Sequence, residues 1–327
     1  MESQLRQDQA SKLREMAGGN LPVPPPPRRG AGEQRSRGDP CPPAPLPLCG
    51  EKGRVGASRE GRVIAITSGK GGVGKSNFAL NLAIALSRLG KRVLLFDADI
   101  NLANIDVLLG MSPRYTLRDV VLEGKEISDT VVEGPSGIKI VPACSGAADL
   151  LDLDGPTKER LMRAFEALQS TADILLVDTA AGLSQNVMDF ILSADEVIVV
   201  TTPEPTAITD AYAMVKVISG QKRNIPIKLL INFVRSRSEA EEIFEKLSLV
   251  ITHFLNLSVE NLGCLVIDKN IPRAVEHQSP FLLSYPTTAA AVCIHSIARR
   301  IVAGRREPPG RDKADSLLHR IFERSVA

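Results

Sequence analysis

Short apolar runs alternate with amphipathic stretches of helical length along most of the chain, beginning at Arg62. The segments predicted as strands, some with the turn that follows, are residues 62–68, 93–100, 138–143, 174–182, 197–205, 227–232 and 259–266. The segments predicted as helices are residues 75–89, 158–170, 206–219, 239–256 and 287–303. Because strands and helices alternate, the sequence predicts an α/β fold, with a doubly wound, mainly parallel sheet covered by helices on both faces.

The beginning of the chain does not share this alternation. Residues 2–16 contain no glycine or proline and place Leu5, Gln9, Leu13 and Met16 on one face of a predicted helix. An isolated helix of this length is marginal in water. We therefore expect it to fold on a partner.

A proline-rich stretch separates this helix from the alternating region. Ten prolines lie between residues 21 and 50, among glycines and arginines, and such a composition does not bury enough apolar surface to order the chain. The sequence therefore predicts four parts: a partner-binding helix (residues 1–16), a disordered linker (17–60), the α/β domain (61–304) and a C-terminal amphipathic helix (305–327).

The C-terminal helix is predicted to follow the break at Pro308-Pro309-Gly310. Leu317, Leu318, Ile321 and Phe322 form an apolar stripe with basic side chains around it. A basic amphipathic helix can lie on a membrane surface. It can also dock on the folded core, and both interpretations stay open at this stage.

A glycine-rich loop joins the first predicted strand to the first predicted helix. Its residues are Gly69, Lys70, Gly71, Gly72, Val73, Gly74, Lys75, Ser76 and Asn77. Strand, loop and helix in this order predict a phosphate-binding P-loop, because glycines let backbone N–H groups face phosphate oxygens and the helix N-terminus favours negative charge. We expect Lys75 to reach the β- and γ-phosphates and the Ser76 hydroxyl to bind Mg²⁺.

Acidic residues end two later strands. Asp97 and Asp99 close the second strand, and Asp178 closes the strand that begins at residue 174, with Gly182 four positions further on. The carboxyl ends of parallel strands meet at the edge where doubly wound folds bind their ligands. The pattern of Asp178 and Gly182 is typical of a Walker B strand and second switch, so Asp178 is predicted to hold Mg²⁺ and the Gly182 N–H to sense the γ-phosphate.

The second lysine of the loop, Lys70, makes Lys-Gly-Gly-Val-Gly-Lys-Ser similar to the deviant Walker A motif of the MinD/ParA ATPases. This resemblance covers residues 62–303 and implies a SIMIBI-type P-loop NTPase that uses ATP and Mg²⁺ and hydrolyses ATP as a homodimer. It implies that Lys70 crosses to the partner subunit's nucleotide and that Asp99 orients the attacking water. It also implies that Asp97 lies near the Mg²⁺ shell and that Asn232 contacts adenine.

The segment Asp8-Gln9-Ala10-Ser11-Lys12-Leu13-Arg14 resembles the N-terminal element of the flagellar, FlhG-type members of that family, which activates an FlhF-type GTPase. The implied contacts to the GTPase are Gln9, Leu13 and Arg14. The same resemblance implies flagellar switch-complex proteins as further partners and membrane targeting through the apolar stripe of the C-terminal helix. We therefore expect a cytoplasmic protein that attaches peripherally to the cytoplasmic face of the cell membrane.

Composition limits the alternatives. The formal net charge of +2 does not indicate general nucleic-acid binding, so DNA is not an expected partner. A ParA-type segregation ATPase that binds DNA through a basic dimer surface is one alternative. A MinD-type division-site ATPase is another, and it would lack the N-terminal element and the proline-rich linker.

The five cysteines, at positions 41, 49, 144, 264 and 293, show no C-x-x-C spacing. This argues against zinc binding and a disulfide framework and for a reducing compartment. Cys144, Cys264 and Cys293 lie in apolar runs and are predicted to be small core residues. Metal-cluster carriers of the Mrp type and nitrogenase iron proteins are disfavoured, because Cys264 and Cys293 are too far apart in sequence to supply a C-x-x-C pair.

Overall fold

A single mixed sheet forms the centre of the computed structural model, which describes residues 61–99, 104–142, 155–222, 224–304 and 316–324. Its strands lie in the order β3-β4-β2-β5-β1-β6-β7-β8, and every neighbouring pair is parallel except β3–β4. The strands are β1 (Arg62–Ser68), β2 (Val93–Ala98), β3 (Val132–Glu133), β4 (Lys139–Val141), β5 (Ile174–Ala181), β6 (Glu196–Thr201), β7 (Ile227–Val234) and β8 (Glu260–Val266). The predicted α/β class with a mainly parallel sheet is therefore confirmed.

Helices connect most of the strands. Among the described residues they are α1 (Lys75–Arg88), α2 (Ile105–Leu109), α3 (Leu117–Glu123), α4 (Gly155–Ser170), α5 (Gln185–Ser193), α6 (Pro205–Gln221), α7 (Arg237–Leu255), α8 (Asn270–Glu276), α9 (Phe281–Ser284), α10 (Ala289–Ala303) and α11 (Leu317–Arg324). Two short 3₁₀ turns, Ile127–Thr130 and Pro135–Gly137, flank β3.

The core lies on both faces of the sheet. In β1, Val63 and Ala65 pack on one face and Ile64 and Ile66 on the other, and all four are fully buried. Helices α1, α9 and α10 cover the face of Ile64, whereas α4 to α7 and α11 cover the face of Val63. A strand with covered faces on both sides needs no polar alternation, which is why the β1 sequence is continuously apolar.

The elements missed from the sequence are short. Each strand and helix predicted within residues 62–303 has a counterpart, with ends that differ by a few residues. The sequence did not predict β3, which has two residues, or the helices α2, α3, α5, α8 and α9, which have four to nine. Such elements are too short to show a hydrophobic period.

The predicted N-terminal helix and linker lie outside the described residues, and so do their contact residues Gln9, Leu13 and Arg14. The described residues all belong to one unit, Val55–Ala327. None of the helices in the described part of the chain is both long enough and apolar enough to cross a lipid bilayer.

Candidate active site

The loop between β1 and α1 has the geometry of an anion cradle. Gly72 and Gly74 adopt left-handed backbone conformations, with φ of 79° and 85°. A Cβ atom added at Gly71 or Gly72 would meet nothing within 4 Å, so this side of the loop is open. No side chain caps the N-terminus of α1, which begins at Lys75. The N–H groups of the first helical turn and the positive end of the helix are therefore free to bind phosphate.

The back of the loop is packed closely against the core. A Cβ atom at Gly69 would lie 2.5 Å from the carbonyl oxygen of Asp210, and one at Gly74 would lie 2.5 Å from Asn232 Nδ2. These positions require glycine for space, in addition to the positive φ at Gly74. The close approach fixes the loop against β7 and the second turn of α6.

Asn232, near the end of β7, supports the loop directly. Its Nδ2 donates a hydrogen bond of 2.8 Å to the Val73 carbonyl, and its Oδ1 accepts one of 2.8 Å from the Phe233 N–H. One amide hydrogen and one lone pair remain for another partner. The predicted adenine contact is compatible with this geometry and would use that remaining capacity.

The end of β5 carries a buried acid next to the loop. Lys75 Nζ lies 2.9 Å from Asp178 Oδ1, and both side chains are buried. Burial raises the pKa of Asp178, while the charge of Lys75 and a hydrogen bond from the Ser76 hydroxyl oppose the rise. The second oxygen, Asp178 Oδ2, is buried without a hydrogen-bond partner. A free carboxylate oxygen beside a serine hydroxyl is a donor set that fits Mg²⁺.

A second acid lies beside Asp178 on the neighbouring strand. Asp97 is paired with Asp178 in the β2–β5 register and is almost fully buried. Burial, and then the charge of Asp178, raise the pKa of Asp97 to about 7. Asp97 also accepts the backbone N–H groups of Asp99, Asn104 and Ile105. It therefore shapes the turn that carries Asp99.

Asp99 lies at the mouth of the same cluster. Its side chain is 9% exposed, and Asn104 Nδ2 lies 3.5 Å from Asp99 Oδ2. The charge of Asp99 contributes to the raised pKa of Asp178, so the carboxylates share one electrostatic environment. The structure thus brings together Lys75, Ser76, Asp97, Asp99 and Asp178 at the carboxyl edge of the sheet.

Lys70 has different partners from Lys75. Its Nζ donates to Glu204 Oε2 at 2.6 Å and to Thr206 Oγ1 at 3.3 Å, in the segment that joins β6 to α6. The side chain of Lys70 is 42% exposed and that of Glu204 is 64% exposed. A pair this accessible to water is weak and opens readily. The side chain is thus available to a group outside the subunit.

Gly182 has a bond that was not expected from the sequence. Its N–H donates to the Ser68 carbonyl at 2.9 Å, and its backbone is left-handed, with φ of 96°. A contact from this N–H to a γ-phosphate would require the bond to Ser68 to open.

The apolar stripe of the C-terminal helix faces the core in this structure. Leu317, Leu318 and Ile321 are buried against α4 and α5. The Leu317 N–H donates to Gln169 Oε1 at 3.0 Å, and Arg320 forms a 3.0 Å ion pair with Asp195. The docking interpretation therefore describes this state, in which three of the four residues assigned to a membrane surface are withdrawn from solvent. The side chain of Phe322 lies outside the description.

Sequence reasoning missed the contacts between residues far apart in the chain. It did not identify Glu204 as the partner of Lys70. The absence of a C-x-x-C pair carried no information about space: β8 and α10 bring the thiols of Cys264 and Cys293 within hydrogen-bond range of each other.

Known proteins share these features. The ParA family model, described as the NUBPL iron-transfer P-loop NTPase, matches residues 60–302. The antiactivator FleN of Pseudomonas aeruginosa is 39% identical over 248 residues, which cover 76% of this chain and 89% of FleN. The flagellum site-determining protein YlxH of Helicobacter pylori is 33% identical, over 74% of this chain and 82% of YlxH.

Solved structures agree with the sequence relatives. The septum site-determining protein MinD of Pyrococcus horikoshii, complexed with Mg-ADP, superposes with a TM-score of 0.61 at 26% identity, over 74% of this chain and 97% of that one. The strand order of the eight-stranded sheet, the two lysines of the loop and these matches all indicate the same family. The chain therefore belongs to the ParA/MinD family of P-loop NTPases.

Proposed function

We propose that this protein is a Mg²⁺-dependent ATPase that dimerises when it binds ATP and that regulates the number or placement of flagella. The observation that carries the flagellar assignment is the 39% identity to the antiactivator FleN, supported by the 33% identity to YlxH. The exposed Lys70 carries the dimerisation assignment, because its location suits a role at a second subunit.

The loop and Lys75 bind the nucleotide. The open side of Gly71 and Gly72 offers backbone N–H groups to the phosphates. In the present state Lys75 neutralises Asp178, and an incoming phosphate competes for that lysine. Asp178 and Ser76 would hold Mg²⁺, which would supply positive charge to the phosphate groups.

Hydrolysis needs groups that the isolated subunit does not bring to the phosphates. Lys70 leaves Glu204 and reaches the nucleotide of the partner subunit, where it neutralises developing charge. Asp99 orients the attacking water, held in place by the turn that Asp97 organises. The Gly182 N–H exchanges its bond to Ser68 for the γ-phosphate, so ATP alters the β5 end.

Membrane attachment follows release of α11. Leu317, Leu318 and Ile321 are buried in the described state, so α11 must leave α4 and α5 before it can insert into a lipid surface. One such helix binds weakly, whereas two helices in a dimer act at high effective concentration. Dimerisation therefore couples nucleotide binding to attachment.

The N-terminal element stimulates an FlhF-type GTPase. We expect the full-length protein to accelerate GTP hydrolysis by the cognate GTPase, and a protein that lacks residues 1–20 to have no effect. Gln9→Ala should lower stimulation and affinity together, whereas Leu13→Ala should mainly weaken binding, because an apolar anchor contributes affinity and not chemistry. Lys12→Ala is the control on the same helix.

The assay for this element is single-turnover GTP hydrolysis with the nucleotide-loaded GTPase. Full stimulation by the protein without residues 1–20 would disprove the GTPase-activator role and leave a MinD-like ATPase of other function. The core variants Lys70→Ala and Lys75→Ala should retain stimulation, since the linker predicted over residues 17–60 separates the two activities.

A further inference from the structure

Two cysteines from different elements meet at the edge of the sheet. Cys264 lies on β8 and Cys293 on α10, and a hydrogen bond joins their sulfur atoms. Neither forms a disulfide, Cys264 is half-buried and Cys293 is 6% exposed. Both line a cavity of about 230 Å³ that is open to solvent on one side. The pair is therefore reachable by a small molecule.

The walls of this cavity favour a thiolate at Cys293. The Cys264 thiol, the Val266 N–H and the Arg237 side chain each form a hydrogen bond to the Cys293 sulfur. These bonds lower the pKa of Cys293 to about 6, while the same contact raises the pKa of Cys264. A deprotonated sulfur next to a protonated one is the arrangement of a reactive dithiol.

The charges at the cavity favour an anionic ligand. Arg237 on α7 and Arg300 on α10 both line the cavity, and the Arg300 guanidinium is held there by the carbonyl oxygens of Asn261 and Leu262. Glu241, also on α7, is the acidic residue among the lining side chains. Two arginines against one glutamate leave net positive charge, which binds carboxylates.

We propose that Cys264 and Cys293 form a redox modification site that reacts with low-molecular-weight disulfides bearing carboxylate groups. The Cys293 thiolate attacks one sulfur of the reagent, forms a mixed disulfide and expels one reagent thiolate, which takes up a proton. Cys264 then loses its proton, attacks Cys293 Sγ and expels the second reagent thiol. Two protein thiols are oxidised to one disulfide and one reagent disulfide is reduced to two thiols.

The cross-link would join β8 to α10 without a large rearrangement. The two thiols already lie within hydrogen-bond range, and bond formation shortens the separation of the sulfur atoms to roughly 2.05 Å. Within residues 61–99, 104–142, 155–222, 224–304 and 316–324, no group of three or more histidine, cysteine or acidic side chains is arranged to hold a metal ion, so a metal site built from this chain alone does not explain the pair.

The test uses the full-length protein with Cys41, Cys49 and Cys144 replaced by serine, so that only the pair can react. Oxidised glutathione is the anionic probe and cystamine, a cationic disulfide, is the matched control. We expect intact mass to fall by two hydrogens with no adduct, and tryptic mapping to link the peptides of Cys264 and Cys293. In the Cys264→Ser variant we expect a stable glutathione adduct on Cys293.

Rates separate a tuned site from ordinary thiols. At pH 6 about half of Cys293 is thiolate, whereas an ordinary thiol is about 0.3% thiolate. A thiolate of lower pKa is also a weaker nucleophile, so we expect Cys293 to react roughly ten times faster than an ordinary thiol. Cys293→Ser should therefore lower the rate of the first adduct about tenfold. Arg237→Gln should slow oxidised glutathione more than cystamine, and Arg299→Gln, on α10 outside the cavity, should change neither rate.

Three results would overturn the proposal. One is a pair that stays reduced while the urea-unfolded protein reacts under the same reagent concentration. Another is an adduct on Cys264 that is never resolved to a disulfide. The last is stoichiometric iron or zinc bound by the purified pair, which would make it a metal site between subunits.

Discussion

Two lysines of the same loop differ in burial and in partner. Lys75 is almost completely buried against Asp178, whereas Lys70 is 42% exposed beside Glu204. Burial next to the open loop suits Lys75 to the proposed contact with the phosphates of its own subunit. Exposure on the surface leaves Lys70 free to serve another subunit. Removing each lysine should therefore have a different effect.

Lys75→Ala should abolish ATP binding, because it removes the cation that contacts the phosphates and leaves Asp178 buried without its ion pair. Lys70→Ala should bind ATP with unchanged affinity and lose hydrolysis. Lys216→Ala on the exposed face of α6 is the control. Titration with a fluorescent ATP analogue measures affinity, and phosphate release measures turnover. Normal dimerisation and turnover in Lys70→Ala would refute the deviant-loop assignment.

Asp99 belongs to the carboxylate cluster around Asp178, and its Oδ2 lies 3.5 Å from Asn104 Nδ2. Asp99→Ala should keep ATP affinity, accumulate as a dimer and hydrolyse ATP slower by a factor of ~10² or more, as expected for loss of a water-positioning group. Asp129→Ala, at an exposed position, is the control. Unchanged turnover in Asp99→Ala would move the water-positioning role to another residue.

Local motifs predicted the chemistry of the site better than its geometry. The residues of the loop, Asp97, Asp178 and Asn232 could be found because the order of strand, glycine loop and helix is visible in sequence. The Asn232–Val73 bond and the Lys70–Glu204 pair could not, because they join segments more than 130 positions apart. Such contacts depend on the strand order of the sheet, which local patterns do not encode.

The prediction of helices had the same limit, because local patterns were visible in the sequence and long-range contacts were not. The ends of long, strongly periodic helices such as α1, α7 and α10 were predicted within a few residues, because many apolar positions in each helix lie on one face and show the helical period. The C-terminal helix was predicted as an amphipathic element, but its apolar stripe could not distinguish a lipid surface from a protein surface. Its docking site depends on Gln169 and Asp195, which sequence inspection did not single out.

Membrane binding by α11 can be tested by changing the residues that hold this helix on the core. Arg320→Ala removes the ion pair to Asp195 and should increase binding of the nucleotide-free protein to anionic lipid vesicles, because docking is weakened. Leu318→Glu should abolish vesicle binding of the ATP-bound protein, since each buried large apolar side chain contributes roughly 1.5–3 kcal/mol. Vesicle co-sedimentation measures both effects.

Leu249→Glu, at an exposed apolar position of α7, is the matched control for an added charge and should bind vesicles normally. Melting temperature separates undocking from unfolding: Arg320→Ala should lower it only slightly. Equal vesicle binding by the unmodified protein, Arg320→Ala and Leu318→Glu would show that α11 is a docking helix and not a membrane anchor.

At the scale of the whole molecule, we propose that one subunit alone lacks a complete set of catalytic groups. Lys75, Ser76, Asp97, Asp99 and Asp178 converge at one edge of the sheet, while Lys70 lies on the surface. A symmetric dimer presents the same surface twice, so each subunit can give its Lys70 to the other and receive one in return. ATP binding, dimerisation and hydrolysis are then one coupled process.

The most direct test mixes two inactive proteins, Lys70→Ala and Asp99→Ala, with ATP and Mg²⁺. If Lys70 acts across the dimer, mixed dimers hold one site with its own Asp99 and the partner's intact lysine. Random pairing then restores about a quarter of the unmodified activity, because half of the dimers are mixed and each has one complete site. A mixture that forms mixed dimers, verified by cross-linking of tagged subunits, yet releases no phosphate would contradict the account.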